Sequence, residues 1–202
     1  MIEDGACSQC GLLYVRDDPA DRRYHQRYHA AVLNGPRTTL SDGIYFISPR
    51  SNKRMRKLAY RAAQIAKRET KYDFPAFHPD EEYDPEFDTL ALVKVENHRV
   101  VGLIVTCNRI CRYLIQLSAF SDTSVAWRPL GDDEVPATPR RTIDMIWVAR
   151  KVRGGGRAQE LVDALCKSTK IQVGLLGHEI PFTPSALRFW QKLGLDRVYI
   201  AS

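Results

Sequence analysis

The chain has 202 residues, 44% hydrophobic and 27% charged, with a formal net charge of +6. This size and balance suit one soluble globular domain with a small module attached, and exclude a disordered or collagen-like protein. No apolar run reaches the ~18–20 residues of a membrane-spanning helix and no basic-then-apolar signal pattern opens the chain, so an intracellular location is expected.

The first element is a metal-ligand pattern: Cys7-x2-Cys10, fourteen residues, then His25-x3-His29. Two thiolates and two imidazoles at these spacings are the donor set of a closed tetrahedral zinc site, so Cys7, Cys10, His25 and His29 are the expected ligands. Gly11 follows the second cysteine, where a knuckle turn favours a residue without Cβ, and "LLYV" reads as a short strand. "DDPADRRYHQRYHAAVL" reads as a helix with Asp17 or Asp18 as N-cap and Pro19 in the first turn, which puts His25 and His29 on one face. One copy, with a longer interior than common DNA-reading fingers, points to a structural or docking module over residues 1–35. The other three of the five cysteines, Cys107, Cys111 and Cys166, sit in apolar surroundings and read as small core residues.

Residues 36–202 read as a second unit. After the turn-rich "NGPRTTLSDG", "IYFISP" is a short strand ended by Pro49. From Asn52 to Thr70, Met55, Leu58, Ala62 and Ile65 recur at helical spacing. Charge is uneven here: Arg50 to Lys71 carries nine Lys or Arg against one acid, Glu69, whereas Asp80 to Asp88 carries six acids and no base. The basic stretch suits a polyanion such as nucleic acid, an acidic protein or a phosphorylated cofactor, or else a solvated helix face. "KRMRK" at Lys53–Lys57 is compatible with nuclear import as well as with the helix. "TLALVKVENHRVVGLIVTCNR" reads as two strands around a tight turn at Glu96-Asn97-His98, with His98 a turn residue. "CRYLIQLS" is a further strand or its continuation, "SDTSVAWRPLGDDEVPATP" a loop, and "RTIDMIWVAR" a strand running into glycines. A helix follows in "AQELVDALCKSTK". Mostly antiparallel strands followed by strand–loop–helix–strand indicate an α+β (mixed α/β) fold. His78 and His178 read as surface or structural residues.

"KVRGGGRAQE" (Lys151–Glu160) lies between strand and helix. Glycines there let backbone N–H groups turn inward, the helix start adds partial positive charge, and Arg153 and Arg157 add formal charge, so the stretch is an anion site. The third glycine of a dinucleotide fingerprint and the Gly-Lys-Ser/Thr of a Walker loop are both missing.

Arg153-x-x-Gly156-x-Ala158 resembles the Q/R-x-x-G-x-G/A pyrophosphate loop of GNAT acetyltransferases, and "PSALRFWQKLGLDRV" (Pro184–Val198) resembles their C-terminal segment. The whole chain from Cys7 is similar to one branch, the ESCO-type sister-chromatid cohesion acetyltransferases: "CSQCGLLYVRDDPADRRYHQRYH" to their finger, "HRVVGLIV" to V-V-G-C-L-I, "IDMIWV" to I-S-R-I-W-V. The resemblance implies a GNAT fold, acetyl-CoA as cofactor, a nuclear location, and acetylation of a lysine on a cohesin SMC subunit. It implies that the strand Ile143–Val148, through Ile146, Trp147 and Val148, pairs with the pantetheine arm, while Arg153, Gly154, Gly155, Gly156, Arg157 and Ala158 hold the pyrophosphate. The chain departs from that branch at the loop, where R-R-K-K-I-A is usual, at "IPFTPS" in place of F-S-D-P-T-P with its catalytic Asp, and at Arg141-Thr142 in place of C-G. A base near neutral pH is needed to deprotonate the acceptor lysine, and Asp144, on the strand beside the thioester, is the first candidate, with Glu179 the second. A salt bridge at the strand edge is the other reading of Asp144. Trp190 replaces the tyrosine acid common in the superfamily and cannot donate in that way, which leaves the role vacant or with another group such as Tyr199. Alternatives to the cohesin acceptor are another protein lysine or a small amine, or a degenerate fold whose finger and basic helix 50–71 bind chromatin or DNA.

Overall fold

The structure, a computed structural model, describes residues 4–72, 88–117, 127–179 and 183–201. His78, the acidic run up to 87 and residues 180–182 of "IPFTPS" lie outside the described residues.

Two short strands, β1 (Asp4–Ala6) and β2 (Leu13–Val15), pair antiparallel around the cysteine knuckle, in which the Gly11 amide donates to the Cys7 carbonyl at 2.7 Å with φ 75°. Helix α1 (Pro19–Asn34) follows. Asp18, not Asp17, is its N-cap, accepting from the Ala20 and Asp21 amides at 2.6 and 3.1 Å, and Pro19 starts the first turn, where no donor is missed. Tyr28 and Val32 bury one face of α1 with Cys10, against Ile65 of the next helix.

That helix, α2 (Lys53–Thr70), is capped by the side-chain Oδ1 of Asn52, which accepts from the Met55 amide at 3.0 Å, and follows β3 (Gly43–Ile47). Leu58, Ala59, Ala62, Ala63 and Ala66 form its buried face, small enough for a close approach to the sheet. Strands β4 (Leu90–Glu96) and β5 (Arg99–Arg109) join through Asn97 and His98, both with positive φ (49° and 56°), as a two-residue turn matched to strand twist requires. His98 is a turn residue whose Nδ1 lies 3.1 Å from the Leu40 carbonyl. β5 is buried continuously from Val100 to Cys107 because helices cover both faces of the sheet.

β6 (Cys111–Gln116) pairs with β7 (Trp127–Pro129), a short strand inside the segment expected to be loop. Proline is tolerated there because β7 is an edge strand. Next come β8 (Arg140–Val148), a 3-10 turn (Arg150–Val152), α3 (Arg157–Thr169), β9 (Gly177–His178), α4 (Pro184–Lys192) and β10 (Arg197–Ala201). The eight-stranded sheet runs β3-β4-β5-β8-β9-β10-β6-β7; β9 is parallel to both its neighbours and every other pairing is antiparallel. This is the mixed fold expected, with one core under α2 and the other under α3 and α4.

Candidate active site and metal centre

The site begins where β8 and β9 part. They pair only at Thr142↔Gly177 and Ile143↔His178, and the Glu179 amide closes the crotch on the Ile143 carbonyl at 3.0 Å. Beyond it, residues 144–148 keep β5 on one side and have no strand on the other among the described residues. A β-bulge sits at this point. Met145 faces Val105 while Ile143 faces Thr106, which leaves Asp144 as the extra residue. The bulge also changes side-chain parity: Ile143 and Ile146 pack under α3 and α4, Met145 and Trp147 under α2.

Asp144 therefore sits at the base of the fork with its side chain fully buried. Its Oδ1 accepts from the Cys107 thiol at 3.4 Å and from Arg109 Nε at 3.3 Å, while Oδ2 is buried without a hydrogen-bond partner among the described residues. Burial pushes this carboxyl up to about 6; Arg109 and the Cys107 thiol pull against that rise, and the charge of Glu179 adds to it. Burial, then the charge of Asp144, pushes the Cys107 thiol up to about 12, so it stays a neutral donor. Glu179 Oε2 also lies 3.3 Å from Arg109 Nε, in ion-pair reach but without hydrogen-bond alignment. The structure thus brings Asp144 and Glu179 together around one guanidinium. The salt bridge and the raised carboxyl, read from sequence as alternatives, coexist. Arg109 and Cys107 gave no sequence signal as site residues.

At the open end of the fork, β8 ends at Val148 and the chain turns through the glycines into α3. Gly154 and Gly156 both have φ 81°, and a Cβ at either would meet nothing within 4 Å, so the loop leaves open space on its outer side. Among the described residues, three of the four α-helices start with a side-chain cap, on Asp18, Asn52 and Thr183; α3 starts at Gly156 with none. Its first-turn amides are left for an anion, as an acyl-CoA pyrophosphate would require. The two arginines have partners within the chain. Arg153 donates to the Val148 carbonyl (2.8 Å) and to Glu69 (2.7 Å), and Arg157 reaches both carboxylate oxygens of Glu96 at 3.2 Å. Each cation is paired with a carboxylate, so the loop offers backbone amides rather than free guanidiniums. Ile146 and Val148 are half-buried, whereas Trp147 turns its ring to the α2 side and donates from Nε1 to Glu69 at 2.7 Å.

The remaining aromatic candidates are structural in placement. Trp190 is buried, with His178 (4.5 Å) and Phe189 (4.8 Å) against its ring. His178 is a core residue, held neutral by burial that takes its imidazole down to about 3. Tyr199 lies on β10 under the Arg140 guanidinium, 4.0 Å from its ring centroid.

In the finger, ligand atoms of Cys7, Cys10, His25 and His29 all lie within 4.8 Å of one another. Cys7 Sγ and His29 Nδ1 are 3.4 Å apart, and His25 Nε2 is buried without a hydrogen-bond partner, which fits a tetrahedral ion with sulfur and nitrogen donors.

A sheet forked beside an uncapped helix, with one bare strand edge and a glycine turn, places an anion site next to backbone groups that an extended ligand could pair with. Residues 52–195 match the model of the acetyltransferase (GNAT) family, and the chain belongs to that family. Residues 2–31 match the model described as the zinc-finger of acetyl-transferase ESCO. Among solved structures, the xEco2 acetyltransferase domain bound to a CoA conjugate is 20% identical, covering 80% of this chain and 93% of that one, with a TM-score of 0.60. A second structure of the xEco2 acetyltransferase domain is 21% identical, covering 80% and 91%, with a TM-score of 0.57. No curated protein sequence matches the chain. The chain is an acetyl-CoA-dependent N-acetyltransferase, and the segment ahead of its GNAT domain is similar to the ESCO zinc finger.

Proposed function

We propose that the chain acetylates a lysine of a cohesin SMC subunit in the nucleus, with residues 1–35 as a zinc finger and 36–202 as the transferase domain. The observation that supports this acceptor is the ESCO-type finger joined to a GNAT domain in one chain. Cys7, Cys10, His25 and His29 hold Zn2+, which fixes the knuckle to α1. The 144–148 edge, through the backbone of Ile146, Trp147 and Val148, takes the pantetheine arm of acetyl-CoA. The amides of Gly154, Gly155, Gly156 and Ala158 take its pyrophosphate, with Arg153 and Arg157 bracing the loop. Acetyl-CoA supplies the activated acyl group. Asp144 holds the proton taken from the acceptor ammonium, directly or through one water: a carboxyl near 6 is mostly ionised at neutral pH yet basic enough to accept. Glu179 and Arg109 keep that carboxylate in place.

Contact with chromatin falls to the basic helix. Arg37, Thr38, Thr39 and Leu40 face α2 across a groove of about 460 Å³ whose α2 wall carries Lys53, Arg54, Lys57 and Arg61, with no acid in the lining among the described residues. Cations four residues apart lie ~6 Å apart along a helix, comparable with successive phosphates on one strand, and hydroxyls and guanidiniums are common phosphate donors.

The test is acetyl transfer to an SMC head peptide, with a histone peptide and spermidine as competitors. Preference for the SMC peptide supports the reading; equal or better transfer to spermidine would assign the chain to another GNAT acceptor class.

A further inference from the structure

One group outside the fork ties three parts of the molecule together. Glu69, near the end of α2, is the only acid among the basic residues of that helix, and its side chain is 4% exposed. Its Oε2 accepts from Trp147 Nε1 at 2.7 Å, and its Oε1 accepts from Arg150 Nε at 2.6 Å and Arg153 Nη2 at 2.7 Å. Arg153 in turn holds the Val148 carbonyl. The last two residues of β8 and the first residue of the glycine loop are thus fixed to one carboxylate. A buried carboxylate with three donors from three positions holds a geometry, because losing any donor leaves charge uncompensated in a dry site.

Arg150 extends the network. Its other arm, Nη1, donates to the carbonyl of Gln9, which lies between Cys7 and Cys10. The direction of that carbonyl depends on the knuckle conformation, and the knuckle closes around its metal. A second tether runs beside it: Arg68 donates to the Tyr24 hydroxyl of α1 at 2.7 Å. The finger is therefore bonded to the same guanidinium that, with Arg153, braces the cofactor loop through Glu69.

We propose that Glu69 is a positioning residue for the acetyl-CoA loop and that Arg150 makes the metal-bound knuckle part of that positioning, so that zinc occupancy sets acetyl-CoA affinity. This rests on residues 153–158 being the pyrophosphate site. With zinc in place, the Gln9 carbonyl and Glu69 hold Arg150 between them, and the loop keeps its register against β8. With the knuckle open, Arg150 has lost one anchor, Glu69 must hold its partners alone, and the loop amides diverge.

The test uses the full chain and titrates CoA calorimetrically into four species: wild type and Arg150→Met, each zinc-loaded and zinc-stripped, with zinc content and far-UV spectra recorded. Outer-shell partners of a binding site typically contribute about 10–100-fold. Zinc-loaded Arg150→Met should bind CoA about tenfold more weakly while keeping its zinc, and stripping should cost the wild type a similar factor. Stripping Arg150→Met should then add less than twofold, because the link is already cut. Zinc-loaded Glu69→Gln should raise the KM for acetyl-CoA with kcat and the acceptor KM nearly unchanged. Three results would overturn the proposal: unchanged affinity in Arg150→Met, additive losses, or global unfolding on chelation, in which zinc acts through the fold. Failure of zinc-loaded wild type to bind CoA would instead remove the loop assignment itself.

Discussion

Asp144 concentrates the chemistry at one residue: its side chain is fully buried, with Oδ1 bonded and Oδ2 without a hydrogen-bond partner among the described residues. Asn at this position keeps the shape and loses the proton acceptor. Asp144→Asn should therefore lower kcat by about 10²-fold or more, the usual range for a positioned base, with the KM for acetyl-CoA little changed. The wild-type kcat should rise with pH through about 6, where this carboxyl ionises, and the variant should lack that limb. A variant that kept the limb would place the base elsewhere. Glu179→Gln tests the neighbour, which touches Arg109 and not the buried oxygen; its loss should be smaller than that of Asp144. The sequence showed Asp144 as an acid beside the thioester strand but not its setting. Arg109 lies two strand positions past Cys107 at the far end of β5, and only the β5–β8 register brings them to Asp144.

At the scale of elements, capping separates the helices by role. Asp18 caps α1, which carries both His25 and His29, and replacing an N-cap side chain with Ala leaves the first-turn amides without their acceptor. Asp18→Ala should loosen the histidine pair and weaken zinc retention about fivefold in competition with a chelator, since the ions and the helix form together. At the uncapped start of α3 the damage comes instead from adding a side chain. Gly156→Ala adds only left-handed backbone strain, about 1–2 kcal/mol, and should keep part of the thermal shift given by acetyl-CoA. Gly156→Glu adds a carboxylate where the pyrophosphate binds and should abolish that shift. The long elements were legible because their patterns are strong: the α2 apolar stripe, the apolar runs of β4 and β5 on either side of Asn97-His98, and the cap-proline start of α1. The short ones were not. β9 has two residues, too few for any period, and β7 is hidden by Pro129 and flanking turn residues, though the edge of a sheet accepts both. The glycine loop was readable because its spacing is itself the signal. The role of Glu69 was not, because a lone acid in a basic helix gives no hint of a tryptophan and two arginines that follow some eighty residues later.

For the whole molecule, two buried groups close to the fork make opposite contributions to stability against pH. Asp144 has its folded pKa raised from an ordinary 3.8 to about 6, so the stability it contributes is full below 3.8 and is lost as pH rises through 6. His178, on the strand that forms the other arm, has its folded pKa lowered from 6.5 to about 3 by burial, so its contribution is full above 6.5 and is lost as pH falls toward 3. Between about pH 4 and 6 the folded chain holds one proton more than the unfolded chain at Asp144 and one fewer at His178. The two slopes, each about 1.4 kcal/mol per pH unit, oppose one another, and the pair leaves stability nearly flat over that window. Asp144→Asn removes one side of the balance. At pH 7 the variant should melt above wild type, because it no longer holds a buried charge; toward pH 4 the gap should close, because the His178 slope is now unopposed. Across 1.5 pH units the change in the gap amounts to about 2 kcal/mol, or about 4–8 °C in Tm for a chain of this size. Loss of zinc in acid affects both proteins alike and cancels in the difference. Parallel melting curves for the two proteins from pH 4.5 to 6 would show that Asp144 titrates as an ordinary carboxylate, and would remove both the balance and its fitness as a base near neutral pH.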